Sequence, residues 1–229
     1  RQQAHGAAHH FRLVGALADR VRTNAAAASV HREGGGVSIR DVSGAAHRFD
    51  EVVIATHADS ALAMLDDASP AERALLSAFR YTKNRAVLHR DASLMPRRRP
   101  LWASWNYVGE NQAGGCVVSY WMNRLQNLAC EEQFFLTLNP VTEPDGARVV
   151  YETEYDHPLF DAASIRAQRQ LWSLQGVRNT WFCGAYFGAG FHEDGLQAGL
   201  AVAEQLGGVS RPWRVADESG RIQVPSRQL

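Results

Sequence analysis

The chain has 229 residues, of which 45% are apolar and 21% are charged, and its 24 basic side chains balance its 24 acidic ones. These values are typical of a globular protein, and they exclude wholesale disorder and a disulfide-dense scaffold. The balanced charge provides no basic field that would recruit nucleic acid or an anionic membrane, so a small molecule is the expected partner.

The cysteines and the termini indicate where the protein works. Cys116, Cys130 and Cys183 are odd in number and show no Cys-x-x-Cys spacing, which favours reduced thiols and a cytoplasmic setting. No apolar run approaches the ~18 residues of a transmembrane helix, and the N-terminus lacks a signal-peptide pattern. The sequence begins at Arg1 without a methionine, so we expect it to be a piece of a longer protein.

The first third of the chain predicts a small sheet followed by helices. Residues 1–10 have no periodicity, and apolar spacing predicts a short helix from Phe11 to Asp19. Strands are expected at 28–32 and 36–40, joined by a glycine turn, with two more in 47–55. Val52-Val-Ile54 lacks polar alternation, which is typical of a parallel strand covered on both faces. Helices are then expected over 59–65 and from Ser69-Pro70 onward.

The middle of the chain predicts a multistranded sheet inserted into the first unit. Runs of β-branched and aromatic residues predict strands at 81–89, 101–108, 116–121, 133–138 and 148–155. A helix is expected with its N-cap at Asp161 or one residue earlier, and with Ile165 and Leu171 facing inward. The chain then returns to a buried strand at Trp181, and an irregular tail follows Gly208.

A glycine-rich stretch at 181–206 is the strongest local signal. It predicts a strand, a turn containing Gly184, Gly188 and Gly190, and a helix whose first turn carries Glu193 and Asp194. A helix N-terminus offers unpaired N–H groups and about half a positive charge, which suits a phosphate or the polar edge of a flavin. Alternatively, the acidic residues are simple helix caps and the glycines serve packing.

Several motifs in a fixed order resemble one family. Three of them are Glu51-Val-Val-Ile-Ala-Thr-His57, Trp181-Phe-Cys-Gly184 and Gly190-Phe-His-Glu-Asp-Gly195. Together they resemble the FAD-binding amine oxidase superfamily of flavoproteins. Segments 81–91, 94–96, 102–107, 119–126, 138–140 and 155–158 look like a bacterial amine-oxidase-like branch often encoded beside cyclopropane fatty acid synthases. The resemblance covers roughly residues 11–213.

The resemblance implies an α/β fold, in which part of an FAD/NAD(P)-binding Rossmann-like domain (11–80 and 161–208) is combined with an inserted mixed-sheet substrate domain (81–160), with irregular tails at 1–10 and 209–229. It implies an FAD-dependent oxidoreductase that transfers a hydride from an apolar amine or acyl chain to flavin. His192 and Lys83 are candidate catalytic residues. The resemblance carries cofactor contacts onto Ala27, Ala55, Thr56, Gly184, Ala185, Tyr186, Gly190, Phe191, His192, Glu193, Gly195 and Leu196.

The sequence also departs from the family pattern. No Gly-x-Gly-x-x-Gly is present to bind the pyrophosphate, and Ala185-Tyr186 stands where many relatives have an acidic residue for the ribityl chain. The register that would place Lys83 beside the flavin is ambiguous. A cofactor-free remnant or binding module that retains the substrate sheet is therefore the alternative function.

Other constellations are weaker. His57, His157 and His192 show no metal-ligand spacing, so no metal site is predicted, and no Gly-x-Ser-x-Gly supports a serine hydrolase. Arg97-Arg-Arg99 fits a solvated loop better than a phosphate site. A set of five aromatic residues forms either the wall of an apolar substrate tunnel or the core of the sheet: Trp102, Trp105, Tyr107, Tyr120 and Trp121.

Overall fold

The computed structural model describes residues 15, 17–110, 116–213 and 220–224. The chain divides into two compact units. The first unit consists of Thr82–His157 together with Arg1–Val21, and we call it the middle unit. The second unit consists of Arg22–Tyr81 together with Pro158–Leu229, and we call it the flanking unit. None of the described helices combines the length and the apolar character needed to cross a bilayer.

The described residues form a mixed α/β fold. The strands are β1 (Ala27–Glu33), β2 (Gly36–Asp41), β3 (Ala46–Phe49), β4 (Val52–Ile54), β5 (Arg80–His89), β6 (Trp105–Glu110), β7 (Cys116–Trp121), β8 (Phe135–Leu138), β9 (Val149–Leu159) and β10 (Thr180–Phe182). The α-helices are α1 (Ala58–Met64), α2 (Pro70–Leu76), α3 (Met122–Leu125), α4 (Ala162–Gln168) and α5 (His192–Gly207). Short 3-10 turns lie at Ala18–Arg20, Ala92–Leu94, Arg99–Leu101, Gly146–Arg148, Leu171–Leu174, Val177–Asn179 and Ala185–Phe187.

The flanking unit begins with an antiparallel meander of β1, β2 and β3. Gly34 and Gly35 connect β1 to β2 with positive φ angles of 52° and 86°, a conformation that glycine adopts without a steric penalty. The predicted glycine hairpin is thus confirmed. The next predicted strand, β4, lies in a separate sheet and pairs in parallel with β10.

The parallel pair of β4 and β10 is the centre of the flanking unit. Val52 pairs with Thr180 and Ile54 with Phe182, and the Cys183 N–H donates to the Ile54 carbonyl over 3.1 Å. Val52 and Ile54 are buried, but Val53 is 41% exposed. The prediction that β4 is covered on both faces is therefore wrong for the described residues, because the Val53 side chain stays partly open to solvent.

Helices close the buried face of this pair. α2 starts with a capping box, in which the Ser69 hydroxyl accepts from the Glu72 N–H and the Glu72 carboxylate accepts from the Ser69 N–H. Asp161 caps α4 as predicted. Ile165, however, is 46% exposed, because α4 turns Ser164 and Ala167 inward instead. The core also holds Leu76, Leu171, Phe182, Ala198 and Val202.

The middle unit contains a five-stranded sheet in the order β6-β7-β8-β5-β9. The pairs β6–β7, β7–β8 and β5–β8 are antiparallel. β6 begins at Trp105, later than the predicted residue 101, because Arg99–Leu101 forms a 3-10 turn. Phe135, Trp102 and Met95 form a small core on this sheet.

Two predictions concern the ends of the chain. The helix predicted from Phe11 lies largely outside the described residues, whose first element is the 3-10 turn Ala18–Arg20. After α5, residues 208–213 and 220–224 contain no helix or strand. The rest of the tail, 214–219 and 225–229, lies outside the described residues.

Candidate functional site

The predicted cofactor residues of the flanking unit lie where β4 and β10 end. Ala55 and Thr56 follow β4 and are exposed, whereas Gly184 and Ala185 follow β10 and are half-buried. Because the two strands are parallel, both chains leave the sheet at the same edge. This edge, at the carboxyl ends of parallel strands, is where α/β proteins bind ligands.

Gly184 is required by packing at this edge. A Cβ at this position would lie 2.8 Å from the Tyr186 ring and 3.2 Å from the Thr56 carbonyl oxygen. The first distance is shorter than van der Waals contact allows. Glycine therefore lets the turn after β10 pass closely over the end of β4.

Tyr186 points into the core. Its side chain is only 3% exposed, and the centre of its ring lies 5.2 Å from that of Phe79 and 4.9 Å from that of Phe187. Its hydroxyl has no hydrogen-bond partner among the described residues. Burial raises the pKa of Tyr186, so the hydroxyl stays protonated. The structure thus places this hydroxyl inside the protein, away from solvent.

Asp194 organises the glycine turn before α5. Its carboxylate is fully buried, and Oδ2 accepts from the N–H groups of Ala189 and Phe191 over 3.1 and 2.8 Å. Oδ1 lies 2.9 Å from Arg221 Nε. A Cβ on Gly188 would come within 2.6 Å of this carboxylate, so the turn has no room for a side chain there. Asp194 therefore acts as a structural cap.

The N-terminal end of α5 presents an exposed surface. Phe191 is 61% exposed and Leu196 57%, and His192 and Glu193 are also exposed. The Arg221 guanidinium lies 5.0 Å from the centre of the Phe191 ring. The Asp194 and Gly195 N–H groups donate to the Phe191 carbonyl over 3.1 and 3.3 Å, so among the described residues the donors left at this end are the N–H groups of His192 and Glu193. This end of α5 combines apolar side chains with polar backbone donors.

The remaining glycines of the motif pack on nearby backbone and rings. Gly190 has a φ of 88°, and a Cβ there would lie 3.0 Å from the Phe160 ring. A Cβ on Gly195 would lie 3.6 Å from the Ala185 nitrogen, an ordinary contact distance. Gly190 is therefore constrained by the fold, whereas Gly195 leaves room for a methyl group.

Two other predicted site residues, Ala27 and Lys83, belong to different strands from the residues described above. Ala27 is the exposed first residue of β1 and pairs with Asp41. Lys83 belongs to the middle unit, where its Nζ donates to Glu154 over 2.7 Å. This hydrogen bond raises the pKa of Lys83, and the lysine is a charged member of an exposed ion pair.

Sequence reasoning missed a contact beside the end of β4. The Tyr81 hydroxyl accepts from the Ala58 N–H at the start of α1 over 2.9 Å, and the His57 ring stacks on Tyr81 at 4.4 Å. Burial raises the pKa of Tyr81 to about 12. No local pattern could reveal this contact, because Tyr81 and Ala58 are 23 residues apart.

The other candidates include both exposed and buried residues. Within the described ranges, no three His, Cys, Asp or Glu side chains form a group that could hold a metal ion. The three arginines at 97–99 are exposed. Of the aromatic residues, Trp102 is buried against Trp121 and Phe135, whereas Trp105 and Tyr107 are more than half exposed. Trp102 therefore belongs to the core of the sheet, and the tunnel alternative stays a prediction for Trp105 and Tyr107.

No protein family model matches the chain, and no curated protein matches its sequence. Solved structures do match its fold. Putrescine oxidase bound to putrescine superposes with a TM-score of 0.60 at 13% identity, over 87% of this chain and 52% of that chain. The chain shares its fold with this enzyme.

Two further solved structures give a similar result. Cyclohexylamine oxidase from Brevibacterium oxydans IH-35A has a TM-score of 0.57 at 14% identity, over 86% of this chain and 52% of that chain. A CLA-producing fatty acid isomerase from P. acnes has a TM-score of 0.56 at 15% identity, over 80% and 47%. The chain spans about half the length of each of these proteins.

Proposed function

We propose that this chain is part of an FAD-dependent oxidoreductase of the amine oxidase kind, and that its flanking unit supplies one side of the flavin site. The observation that carries the proposal is the parallel pair of β4 and β10. β4 ends at Ile54, just before Thr56, and β10 ends at Phe182, from which the glycine turn at Gly184 leads into the exposed N-terminal end of α5. The fold shared with two amine oxidases and a fatty acid isomerase supports it.

The pair of strands is also incomplete as a parallel sheet. Parallel sheets usually have several strands and are covered on both faces. Here two strands of three residues each leave Val53 exposed. We infer that a further segment, with the Gly-x-Gly-x-x-Gly that these 229 residues lack, covers this face and binds the pyrophosphate.

The end of α5 fits a flavin ring better than a phosphate. The exposed side chains of Phe191 and Leu196 offer an apolar surface, and the backbone N–H groups of the first turn offer donors to a carbonyl edge. Glu193 adds a negative charge at the same end, which opposes an anionic phosphate. The buried Asp194 carboxylate keeps the turn in shape, because it accepts from the N–H groups of Ala189 and Phe191.

When bound, FAD would accept a hydride from a carbon or nitrogen atom of the substrate. In this proposal, α5 orients the ring, Phe191 and Leu196 exclude water from it, and the donors of the first turn favour negative charge on its polar edge. Because Lys83 is charged and paired with Glu154, it does not serve as a general base at neutral pH.

The test is a titration with FAD followed by absorbance. Protein purified from its complete reading frame is expected to be yellow and to show a flavin band. The 229 residues alone are expected to bind FAD weakly or not at all, because they lack a pyrophosphate loop. A complete protein that is colourless and takes up no FAD would refute the proposal.

A cofactor-free binding module is the second candidate. It is favoured by the missing Gly-x-Gly-x-x-Gly and by a cavity of about 630 Å³ within the middle unit. The same titration separates the two functions, since a complete protein that binds ligands in this cavity but never binds FAD would be such a module.

A further inference from the structure

A cavity of about 630 Å³ lies entirely within the middle unit, which places it in the size range of small-molecule sites. Its wall is mostly apolar and includes Leu94, Met95, Pro96, Val117 and Val141. The described lining residues include the cation of Arg97 and no acidic side chain. A neutral or anionic molecule therefore suits this cavity better than an amine cation.

Two buried hydroxyl groups lie in the apolar wall. Ser119 on β7 and Thr137 on β8 are directly paired across the sheet, and their side-chain oxygens are 2.7 Å apart. Thr137 Oγ1 also lies 2.8 Å from Nε2 of His89 on β5. All three side chains are at most 1% exposed. They form one continuous chain of hydrogen bonds.

The direction of the hydrogen bond between His89 and Thr137 follows from the other contacts of the His89 ring. The Asp91 backbone N–H donates to His89 Nδ1 over 3.2 Å, so Nδ1 carries no proton. Burial lowers the pKa of His89 despite the nearby Asp91 carboxylate, and the ring is neutral at pH 7. Its single proton is on Nε2, which donates to Thr137.

The hydroxyl hydrogens can then be counted. Ser119 and Thr137 have one each, and the bond between the two oxygens uses only one of them, whichever group donates. The other hydrogen has no acceptor among the described residues. An unused buried donor is unfavourable, and an acceptor atom inside the cavity would satisfy it.

We propose that this cavity binds an apolar molecule that carries a hydrogen-bond acceptor such as a carbonyl oxygen, and that the Ser119–Thr137 pair donates its spare hydrogen to that oxygen. The site is formed by the middle unit alone. The inference therefore does not depend on the flavin proposal, and it is tested without FAD.

A matched pair of probes tests the proposal by isothermal titration calorimetry on the 229-residue chain. 2-Acetylnaphthalene has a carbonyl group, whereas 2-ethylnaphthalene has nearly the same shape and no acceptor. The ketone is expected to bind about fivefold more tightly, the effect of one ordinary buried hydrogen bond. Equal affinities, or no binding of either probe, would overturn the proposal.

Three variants test whether the hydroxyl groups of Ser119 and Thr137 cause the preference for the ketone. Ser119→Ala and Thr137→Val each leave one hydroxyl hydrogen free, so each should keep the preference for the ketone. The double variant has no hydroxyl, and the preference should disappear. Circular dichroism checks its fold, because Thr137→Val leaves the His89 N–H without an acceptor.

Val117→Phe keeps the test decisive if the double variant does not fold. Val117 lines the cavity on the same strand as Ser119, and a phenyl ring there should weaken both probes at least tenfold. Unchanged binding of both probes in Val117→Phe would show that they bind elsewhere, and the proposal would then fail.

Discussion

Arg32 shows how a single buried residue connects distant parts of the flanking unit. It is only 5% exposed, and its Nε donates to Asp67 over 2.7 Å while its terminal nitrogens bond to Glu72. Asp67 also accepts from Arg178, which comes just before β10. Buried charges are tolerated only when they are paired in this way. The network connects β1, α2 and the segment that leads into β10.

Removing the guanidinium should therefore destabilise the protein. Arg32→Met leaves the buried Glu72 carboxylate without its partner, and we expect the free energy of unfolding to fall by about 3–5 kcal/mol. Arg73→Met, which changes an exposed arginine on the same helix as Glu72, should change it by less than about 0.5 kcal/mol. Urea denaturation of both variants measures the difference, and equal effects would contradict this role of Arg32.

The same network predicts how stability depends on pH. Burial raises the pKa of Glu72, but hydrogen bonds from Arg32 and Ser69 outweigh it and hold the pKa below its ordinary value of 4.5. A carboxyl group with a depressed pKa stabilises the fold above its unfolded pKa, and this contribution is lost as the pH falls through the folded value. We expect stability to decline below pH 4.5, and less steeply in Glu72→Gln. Denaturation curves between pH 7 and pH 3 would show parallel declines if Glu72 is not responsible.

At the scale of elements, the turn between β10 and α5 depends on glycine at some positions and not at others. A Cβ on Gly188 would lie 2.6 Å from the Asp194 carboxylate, whereas a Cβ on Gly199, inside α5, would meet no neighbouring atom of the described residues within 4 Å. The two glycines belong to the same motif in the sequence. Their surroundings give them opposite tolerances.

Two alanine substitutions test this contrast. Gly188→Ala should lower the free energy of unfolding by about 1–3 kcal/mol, because the methyl group displaces the buried cap. Gly199→Ala should raise it by up to about 1 kcal/mol, since alanine favours the helix interior. Thermal unfolding of both variants checks the signs. A stabilising Gly188→Ala would mean that Asp194 does not occupy the observed position.

At the scale of the whole molecule, a substitution at the exposed end of α5 can separate an effect on folding stability from an effect on cofactor binding. Leu196 is 57% exposed, so Leu196→Ser should leave the melting temperature of the chain nearly unchanged. If the flavin lies against this side chain, the substitution should weaken FAD binding by the complete protein about tenfold. Val209→Ser, at a 76% exposed position in the tail after α5, is the control. Equal FAD affinity in both variants would remove Leu196 from the site.

Much of the fold could be predicted from local pattern. The glycine hairpin, the start of a helix at Ser69-Pro70, the Asp161 cap and the bounds of β7 were all predicted, because turn chemistry, helix-start signals and β-branched runs act over a few residues. Ile165 was wrongly predicted to be buried, because the direction in which a short helix faces is set by its neighbours.

The candidate site also has some features that follow from local sequence and others that depend on tertiary packing. The sequence by itself determined the order of the motifs, the glycine-rich turn and the resemblance to flavoproteins, since these are properties of neighbouring residues. Only the tertiary structure decided that β4 pairs with β10, that the Tyr186 hydroxyl is buried, and that His89, Thr137 and Ser119 form one hydrogen-bonded chain. The physical reason is that the strand pairing and the hydrogen bonds join residues 18 or more positions apart, and that burial, like these contacts, depends on how whole elements pack.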